Sequence, residues 1–274
     1  MPSLLDLRLG ERLQIARQDP PWKVVRGFRA PGGELLVHLN NVSGGILGGD
    51  QLALRVEVAA GANAILTTTG ATRVYRARAE SDSARQSTEI RVGAGGRLEF
   101  LPDPLIPFAG SRYEQNATIL LNEGATLLWW ETLAPGRAAR GEVFEYERLR
   151  LSTEIRACGH PIAIERADLE PRPRPLTALA RLGPYRYLAT LYVCRAGAPR
   201  ETWRELEQEL GDLSRQLSRA GAVSWGVSAL AADGLIVRGA SSGGRGVADA
   251  LAGFWRLAKR KLCGEVAVLP RKIY

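Results

Sequence analysis

Between Leu4 and about Asp168, apolar and polar residues follow one another with the period of a β-strand. Residues 51–58 are the clearest case, with Leu52, Leu54, Val56 and Val58 on one face and Gln51, Ala53, Arg55 and Glu57 on the other. Strict alternation of this kind marks a half-buried strand. A larger unit then recurs: a long alternating strand, a glycine turn, a short apolar strand and an irregular connection. Its copies span residues 51–69, 84–101, 113–133 and 145–168, turning at Gly61, at 93–96, at Gly124 and at Gly159. A period of this size predicts strands stacked as a solenoid or a layered sandwich. Consecutive antiparallel hairpins in a sandwich would give a similar pattern. Shorter runs at 4–8, 13–16 and 23–28 precede the first copy and are also expected to be strands.

After Asp168 the pattern changes. Residues 170–176 alternate proline and arginine and are expected to be extended, because each proline restricts its predecessor. A strand is predicted at 185–194. Trp203, Leu206, Leu210, Leu213 and Leu217 recur at steps of three and four, predicting an amphipathic helix over 200–218 with Gly221 just beyond it. Asp233-Gly234 is a strong turn signal between runs at 222–230 and 235–238. A second helix is expected at 247–262, with Val247, Leu251, Phe254, Trp255 and Ala258 as its apolar stripe. Lys259, Arg260 and Lys261 fall in its last turn, where cations complement the helix dipole. The chain therefore reads as one mostly β domain over 1–274. A stacked-strand body covers about 1–170, and a βαββα portion with two helices, about 176–274, forms an appendage packed on it.

Composition adds little to this outline. The 274 residues are 45% hydrophobic and 24% charged, ordinary values for a soluble globular chain. No run approaches a membrane span. MPSLLDLRLGER has no basic segment followed by an apolar core, so no signal peptide is expected. Cys158, Cys194 and Cys263 are widely spaced and odd in number, which suggests reduced thiols in a cytoplasm. The net charge of +8 comes from arginines scattered through strand-like segments. Solvated faces account for it most simply, an acidic protein partner comes second, and nucleic acid is a distant third, because no recognition motif is present.

The residues offer no catalytic triad. His38 lies in the strand-like run LLVHL and reads as structural. Cys158-Gly159-His160 pairs two metal-ligand types across a turn, but a complete site needs further ligands, so no stable metal site is expected. The loop GGILGGD, with Gly44, Gly45, Gly48 and Gly49 around an Ile46-Leu47 plug, predicts unusual dihedrals and close backbone contacts. It has neither the Gly-Lys-Ser/Thr ending of a P-loop nor the order of a dinucleotide loop. Residues 242–245 before the second helix have the form of an anion nest, although a plain helix N-terminus accounts for them. Asp50, Glu131 and Glu165 carry more information, because each lies in or at the end of an apolar β run. Buried acids are costly unless paired or given a cation. Either they face solvent or pair with Arg73, Arg137 or Arg166, or they line a polar interior path. Tyr75, Arg76, Phe108, Arg112 and Tyr113 sit in loop segments whose aromatic and basic composition is enriched at interfaces.

Several of these blocks occur together in one known family. GGILGGDQL at 44–52, ILTTTGATRVYRA at 65–77, LEFLPDPLIPFAGSRY at 98–113, WETLAPGRAARGE at 130–142 and the terminal LPRKIY resemble the urease accessory protein family UreD, called UreH in some organisms. The likeness runs nearly end to end, and the first two blocks are specific in combination. Two positions depart from the family's common form: Pro-Asp-Pro at 102–104 and Lys-Ile-Tyr at the end of the chain.

The resemblance implies a mostly β, β-helix-like fold with two helices, and a non-enzymatic role as a chaperone and scaffold in nickel insertion. It implies a complex with the urease apoprotein and UreF, which recruits the GTPase UreG. It also implies an internal passage for transient nickel(II), with no tightly bound cofactor. The matching passage positions are Asp50, Thr72, Glu131 and Glu165, and hard oxygen donors along an interior would relay nickel without trapping it. The UreF contact is expected among the loop residues just named and the C-terminal helix. From another class, a stacked-strand polysaccharide hydrolase or lyase would use Asp50, Glu131 and Glu165 as its acids. The sparse aromatics between Leu4 and Phe100 speak against it.

Overall fold

The computed structural model describes residues 2–78 and 80–270; residues 271–274, which end the LPRKIY block, lie outside the described residues. In chain order the first strands are β1 (Ser3–Leu9), β2 (Leu13–Gln18), β3 (Trp22–Lys23), β4 (Gly27–Arg29), β5 (Leu35–Asn41), β6 (Gln51–Val58), β7 (Asn63–Thr68) and β8 (Thr72–Val74). Then come β9 (Ala84–Val92), β10 (Arg97–Leu101), β11 (Leu105–Pro107), β12 (Arg112–Leu121), β13 (Thr126–Leu133), β14 (Arg148–Ala157) and β15 (His160–Leu169). The last third holds β16 (Tyr187–Arg195), helix α1 (Arg200–Leu217), β17 (Val223–Ala229), β18 (Gly234–Ser241) and helix α2 (Arg245–Cys263).

These strands form two facing sheets. The first runs β15-β14-β12-β9-β6-β1-β2, and the spine of the second runs β17-β18-β16-β13-β10-β7-β5-β3. Within each sheet the central strands are parallel. Gln51 pairs with Arg85 and Asn63 with Arg97, a step of 34 residues in both sheets. Ala84 pairs with Tyr113 and Arg97 with Thr126, a step of 29 in both. Equal steps in two sheets mean that each long strand, turn and short strand is one coil stacked on the next, as in a solenoid. The glycine turns stack as well: Gly61 N donates to Ala94 O, Gly95 N to Glu123 O, and Gly124 N to Ala196 O.

The alternation predicted for residues 51–58 holds, with Leu52, Leu54, Val56 and Val58 buried against the second sheet. The short strands carry no alternation because both their faces are covered; all five residues of β10 are buried. Parallel strands covered on both sides read as continuous apolar runs for this reason. One apolar cluster, including Leu5, Leu54, Ile90 and Trp129, fills the space between the sheets. A second, including Leu128, Leu191, Leu206, Phe254 and Trp255, lies between the second sheet and the helices.

Two expectations are corrected. The fourth copy of the repeat does not cross to the second sheet. β14 continues the parallel stack, but β15 folds back antiparallel on it in the same sheet. Cys158 and Gly159 have φ of 47° and 84°. Two positive φ values make the tight primed turn that joins antiparallel neighbours. The C-terminal portion is also more than an appendage, because β16 pairs with β13 and so extends the second sheet. Its helices lie at 200–217 and 245–263, close to the predicted bounds, and cover that sheet's outer face.

Helix α2 is fastened by charges that the apolar pattern does not disclose. Lys259 Nζ lies 2.5 Å from Glu34 Oε1 and 2.8 Å from Glu99 Oε1. Arg97 Nη2 reaches Glu265 at 2.8 Å, and Trp255 Nε1 donates to Glu99 Oε2 at 2.7 Å. Glu34, Glu99, Arg97 and Lys259 are all buried.

Candidate functional site

The two Gly-Gly pairs form a loop that folds onto the Thr72–Tyr75 segment. Ile46 N donates to Arg73 O at 2.7 Å, and Tyr75 N to Ile46 O at 2.8 Å. A Cβ at Gly45 would stand 2.5 Å from the Tyr75 ring and 2.7 Å from Arg73 O, so this contact requires glycine. Gly44 and Gly49 have φ of 80° and 87°, in line with the unusual dihedrals expected. Of the expected apolar plug, Ile46 is buried, while Leu47 is 52% exposed.

Behind this loop a cavity of about 440 Å³ lies between the sheets. Ile46, Phe100 and Trp129 give it apolar walls, and Thr68, Thr72 and Asp103 give it oxygen donors. Further in, Gln86, Tyr113, Gln115, Glu131, Glu165, Thr190 and Tyr192 line it. Strand geometry sets this lining. The inward row of β12 begins with Tyr113 and Gln115 before turning apolar at Ala117 and Ile119. Glu131 of β13 and Thr190 of β16 are register partners.

The acids are held by a polar network. Gln115 Nε2 donates to Glu131 Oε1 at 3.0 Å, and the Tyr113 hydroxyl lies 3.2 Å from Gln115 Oε1. The Tyr192 hydroxyl donates to Glu165 Oε2 at 2.6 Å, and Arg238 Nη2 donates to the same oxygen at 3.1 Å. Burial pushes the Glu131 carboxyl up to about 7; the Glu165 charge adds to this and the Gln115 hydrogen bond opposes it. Burial likewise raises the hydroxyls of Tyr113 and Tyr192, so both stay neutral donors. The result is a polar cavity wall whose fixed donors hold the Glu165 carboxyl group and whose Glu131 carboxyl titrates near neutrality.

Three of the sequence-derived passage positions, Thr72, Glu131 and Glu165, line this cavity. Asp50 does not. Its Oδ2 accepts from Leu47 N at 2.8 Å and so closes the turn of the Gly-rich loop. Gln115, Tyr192 and Arg238, which fix the two glutamates, were not picked out from sequence. Gln115 falls two residues after Tyr113 on the inward row, and that period-two placement is the signal that would have found it.

The interface candidates separate in the same way. Tyr75 stacks edge-on against Phe108 with centroids 5.1 Å apart, and the Arg137 guanidinium lies 4.4 Å over Phe108. Arg76 is exposed, and Arg112 pairs with Glu147 at 3.4 Å. Tyr113 is corrected: it is buried and lines the cavity, because it occupies the first inward position of β12. His38 packs edge-on against Phe28 at 5.7 Å. Cys158 Sγ donates to Glu123 Oε2 at 3.3 Å beside an exposed His160. Among the described residues, no three His, Cys, Asp or Glu side chains are grouped as metal ligands, and no helix is long and apolar enough to cross a membrane.

This is a stacked-strand β protein with an acid-lined cavity between its two sheets. Comparison with known proteins gives that class a family. The profile described as UreD urease accessory protein matches residues 5–273. A Urease accessory protein UreD from Herpetosiphon aurantiacus is 44% identical over 263 residues, 96% of this chain and 91% of its own length. One from Sorangium cellulosum is 35% identical over 85% of this chain and 70% of its own, and one from Deinococcus radiodurans is 38% identical over 57% and 56%. The chain belongs to the UreD family of urease accessory proteins.

Proposed function

We propose that this chain is a non-catalytic scaffold for urease maturation in the cytoplasm, and that the cavity between its sheets conducts nickel(II) toward the urease apoprotein. The observation that supports this reading is that Thr72, Glu131 and Glu165 line one cavity in a member of this family. The oxygens of hydroxyl and carboxyl groups are donors that bind nickel without the grip of thiolate or clustered imidazole. Glu165 is already hydrogen-bonded by Tyr192 and Arg238, which limits how tightly it holds a cation. Nickel is cargo here. In this reading the chain binds the apoprotein on one side and UreF on another, with the GTPase UreG reached through UreF.

The test is urease activity and nickel content in cells carrying the urease genes with and without this chain, at equal urease subunit levels. Loss of both supports the reading. Full activity in its absence overturns it and returns the acids to the hydrolase alternative.

A further inference from the structure

Along the second sheet, Glu131 of β13, Thr190 of β16 and Arg238 of β18 are register partners in one row and so point to the same side. The row runs outward from the cavity. Glu131 and Thr190 line it, and Arg238 lies one strand beyond its lining. Opposite stands Glu165 on β15, which faces both ways: it lines the cavity, and its side chain is 36% exposed. Arg238 Nη2 donates to Glu165 Oε2 at 3.1 Å, and the arginine side chain is itself 58% exposed.

This contact falls on a seam between the sheets. β15 is the last strand of the first sheet, so no further strand of that sheet covers the seam. Its two ends are closed by the fold. At one, the turn between β17 and β18 reaches β15, where Ala231 N donates to Ile162 O at 3.4 Å and Leu230 packs against the core. At the other, the chain that joins β15 to β16 buries Leu176 in that core, with Leu182 packed against it. Glu165 lies between these ends along β15. Among the described residues, its bond to Arg238 is the single polar contact between β15 and β18. A main-chain turn and an apolar plug stay in place, whereas a half-exposed guanidinium on a long side chain can swing away.

We propose that Arg238 is a gate on this side of the cavity: its guanidinium covers the opening between β15 and β18, and a divalent cation that passes Glu165 takes its place on the carboxylate. The proposal deepens the nickel reading and rests on it for the identity of the cargo. Guanidinium and metal compete for one carboxylate, so the gate yields to a cation that is already inside at Glu165. Toward solvent the same positive charge opposes cations arriving from outside. Tyr192, which is buried and donates to the same oxygen, keeps Glu165 in position while Arg238 leaves.

The gate is tested by thiol labelling in the full chain. Cys158→Ser and Cys263→Ser remove the thiols that solvent reaches, and Cys194 is sealed in the core. Thr190→Cys then places a thiol in the cavity just inside Arg238, and Thr72→Cys, in a second protein, places one beside the Gly-rich loop. With 2-aminoethyl methanethiosulfonate, adding Arg238→Ala is expected to speed labelling at 190 about fivefold and to leave the rate at 72 unchanged. Arg238→Lys, which keeps the charge without the planar fork, should stay nearer the parent, and high salt should move the parent toward the alanine variant. Equilibrium dialysis with nickel(II) reads the competition: Arg238→Ala should bind it about fivefold more tightly, and Glu165→Gln in the same chain should cancel the gain. An unchanged rate at 190, an equal rise at 72, or nickel affinity that ignores Arg238→Ala overturns the proposal. The conduction reading is judged separately, by urease nickel content. If Glu165→Gln leaves that content at the parent level while labelling and dialysis respond as expected, the gate stands and conduction fails. If Glu165→Gln lowers it while labelling at 190 ignores Arg238→Ala, the gate alone fails.

Discussion

Lys259 Nζ, on the helix that covers the second sheet, lies 2.8 Å from Glu99 Oε1 in β10, and both side chains are sealed from water. Burial raises the Glu99 carboxyl, while Lys259 and Arg97 pull it back. Desolvating such groups costs free energy that their mutual attraction only partly returns, so the arrangement is hard to break from one side. Lys259→Met removes the cation and leaves Glu34 and Glu99 facing one another with Arg97 alone. We expect it to destabilise the fold by about 3–5 kcal/mol, read as a lowered urea midpoint. Adding Glu99→Gln should return part of the loss, because Trp255 Nε1 keeps an acceptor. A loss below about 1 kcal/mol for the single variant would place this contact with ordinary surface pairs.

That contact also marks where the sequence stops being legible. The stack was readable because alternation in the long strands and unbroken apolar runs in the short ones follow directly from being covered on one face or on both. The acids in β13 and β15 stood out because they interrupt those runs. The partners of these acids did not. Tyr192 lies 27 positions from Glu165, and Arg238 lies 73 away. Lys259 looked like a helix-end cation complementing the dipole; it is one turn before the end and points into the protein, where Glu34, 225 positions earlier, meets it. The fourth coil misled because a Cys-Gly pair reads like the other glycine turns, and only two successive positive φ values reveal the reversal.

The Glu131 carboxyl gives the fold a pH dependence of definite sign. Its folded pKa lies near 7, above the ordinary carboxyl value, so the folded state binds this proton more tightly than the unfolded chain does. The protonated form therefore carries no penalty below the unfolded pKa. The cost grows as pH rises from that value to about 7 and is constant above it. Glu131→Gln keeps the shape and an oxygen for Gln115 but cannot ionise. It should stabilise the protein by on the order of 1–3 kcal/mol at pH 8 and by little at pH 4. Melting temperatures of both forms across that range check it, and equal differences at the two ends would contradict the assignment.

Gly45 separates close approach from mere flexibility in the Gly-rich loop. Gly45→Ala forces a methyl group against the Tyr75 ring and the Arg73 carbonyl, and overpacking of this kind costs about 1–3 kcal/mol. Gly70→Ala, with nothing within 4 Å of the added atom, is the matched control and should be nearly neutral. Amide exchange at Ile46 and Tyr75 should quicken in the first variant alone, because those two hydrogen bonds hold the loop to its neighbour. Slow exchange retained in Gly45→Ala would mean that the loop yields without opening.

Glu165 and Asp50 were paired by resemblance, and the structure sets them apart. Glu165 lines the cavity between Tyr192 and Arg238, while Asp50 caps a turn outside it. Glu165→Gln preserves an acceptor for the Tyr192 hydroxyl and removes the charge that pairs with Arg238 and that a passing cation would meet. If the cavity conducts nickel, this variant should lower urease nickel content about tenfold, equivalent to roughly 1.4 kcal/mol of lost stabilisation along the path, with the accessory complex recovered intact. Asp50→Asn should loosen residues 47–50 and leave nickel content within about twofold of the parent, since the Asp50 side chain closes a turn and does not line the cavity. The measurement is nickel per urease active site after co-expression, normalised to recovered complex. Equal losses from both substitutions would move the route to the Gly-rich loop, and no loss from Glu165→Gln would remove this cavity from nickel delivery.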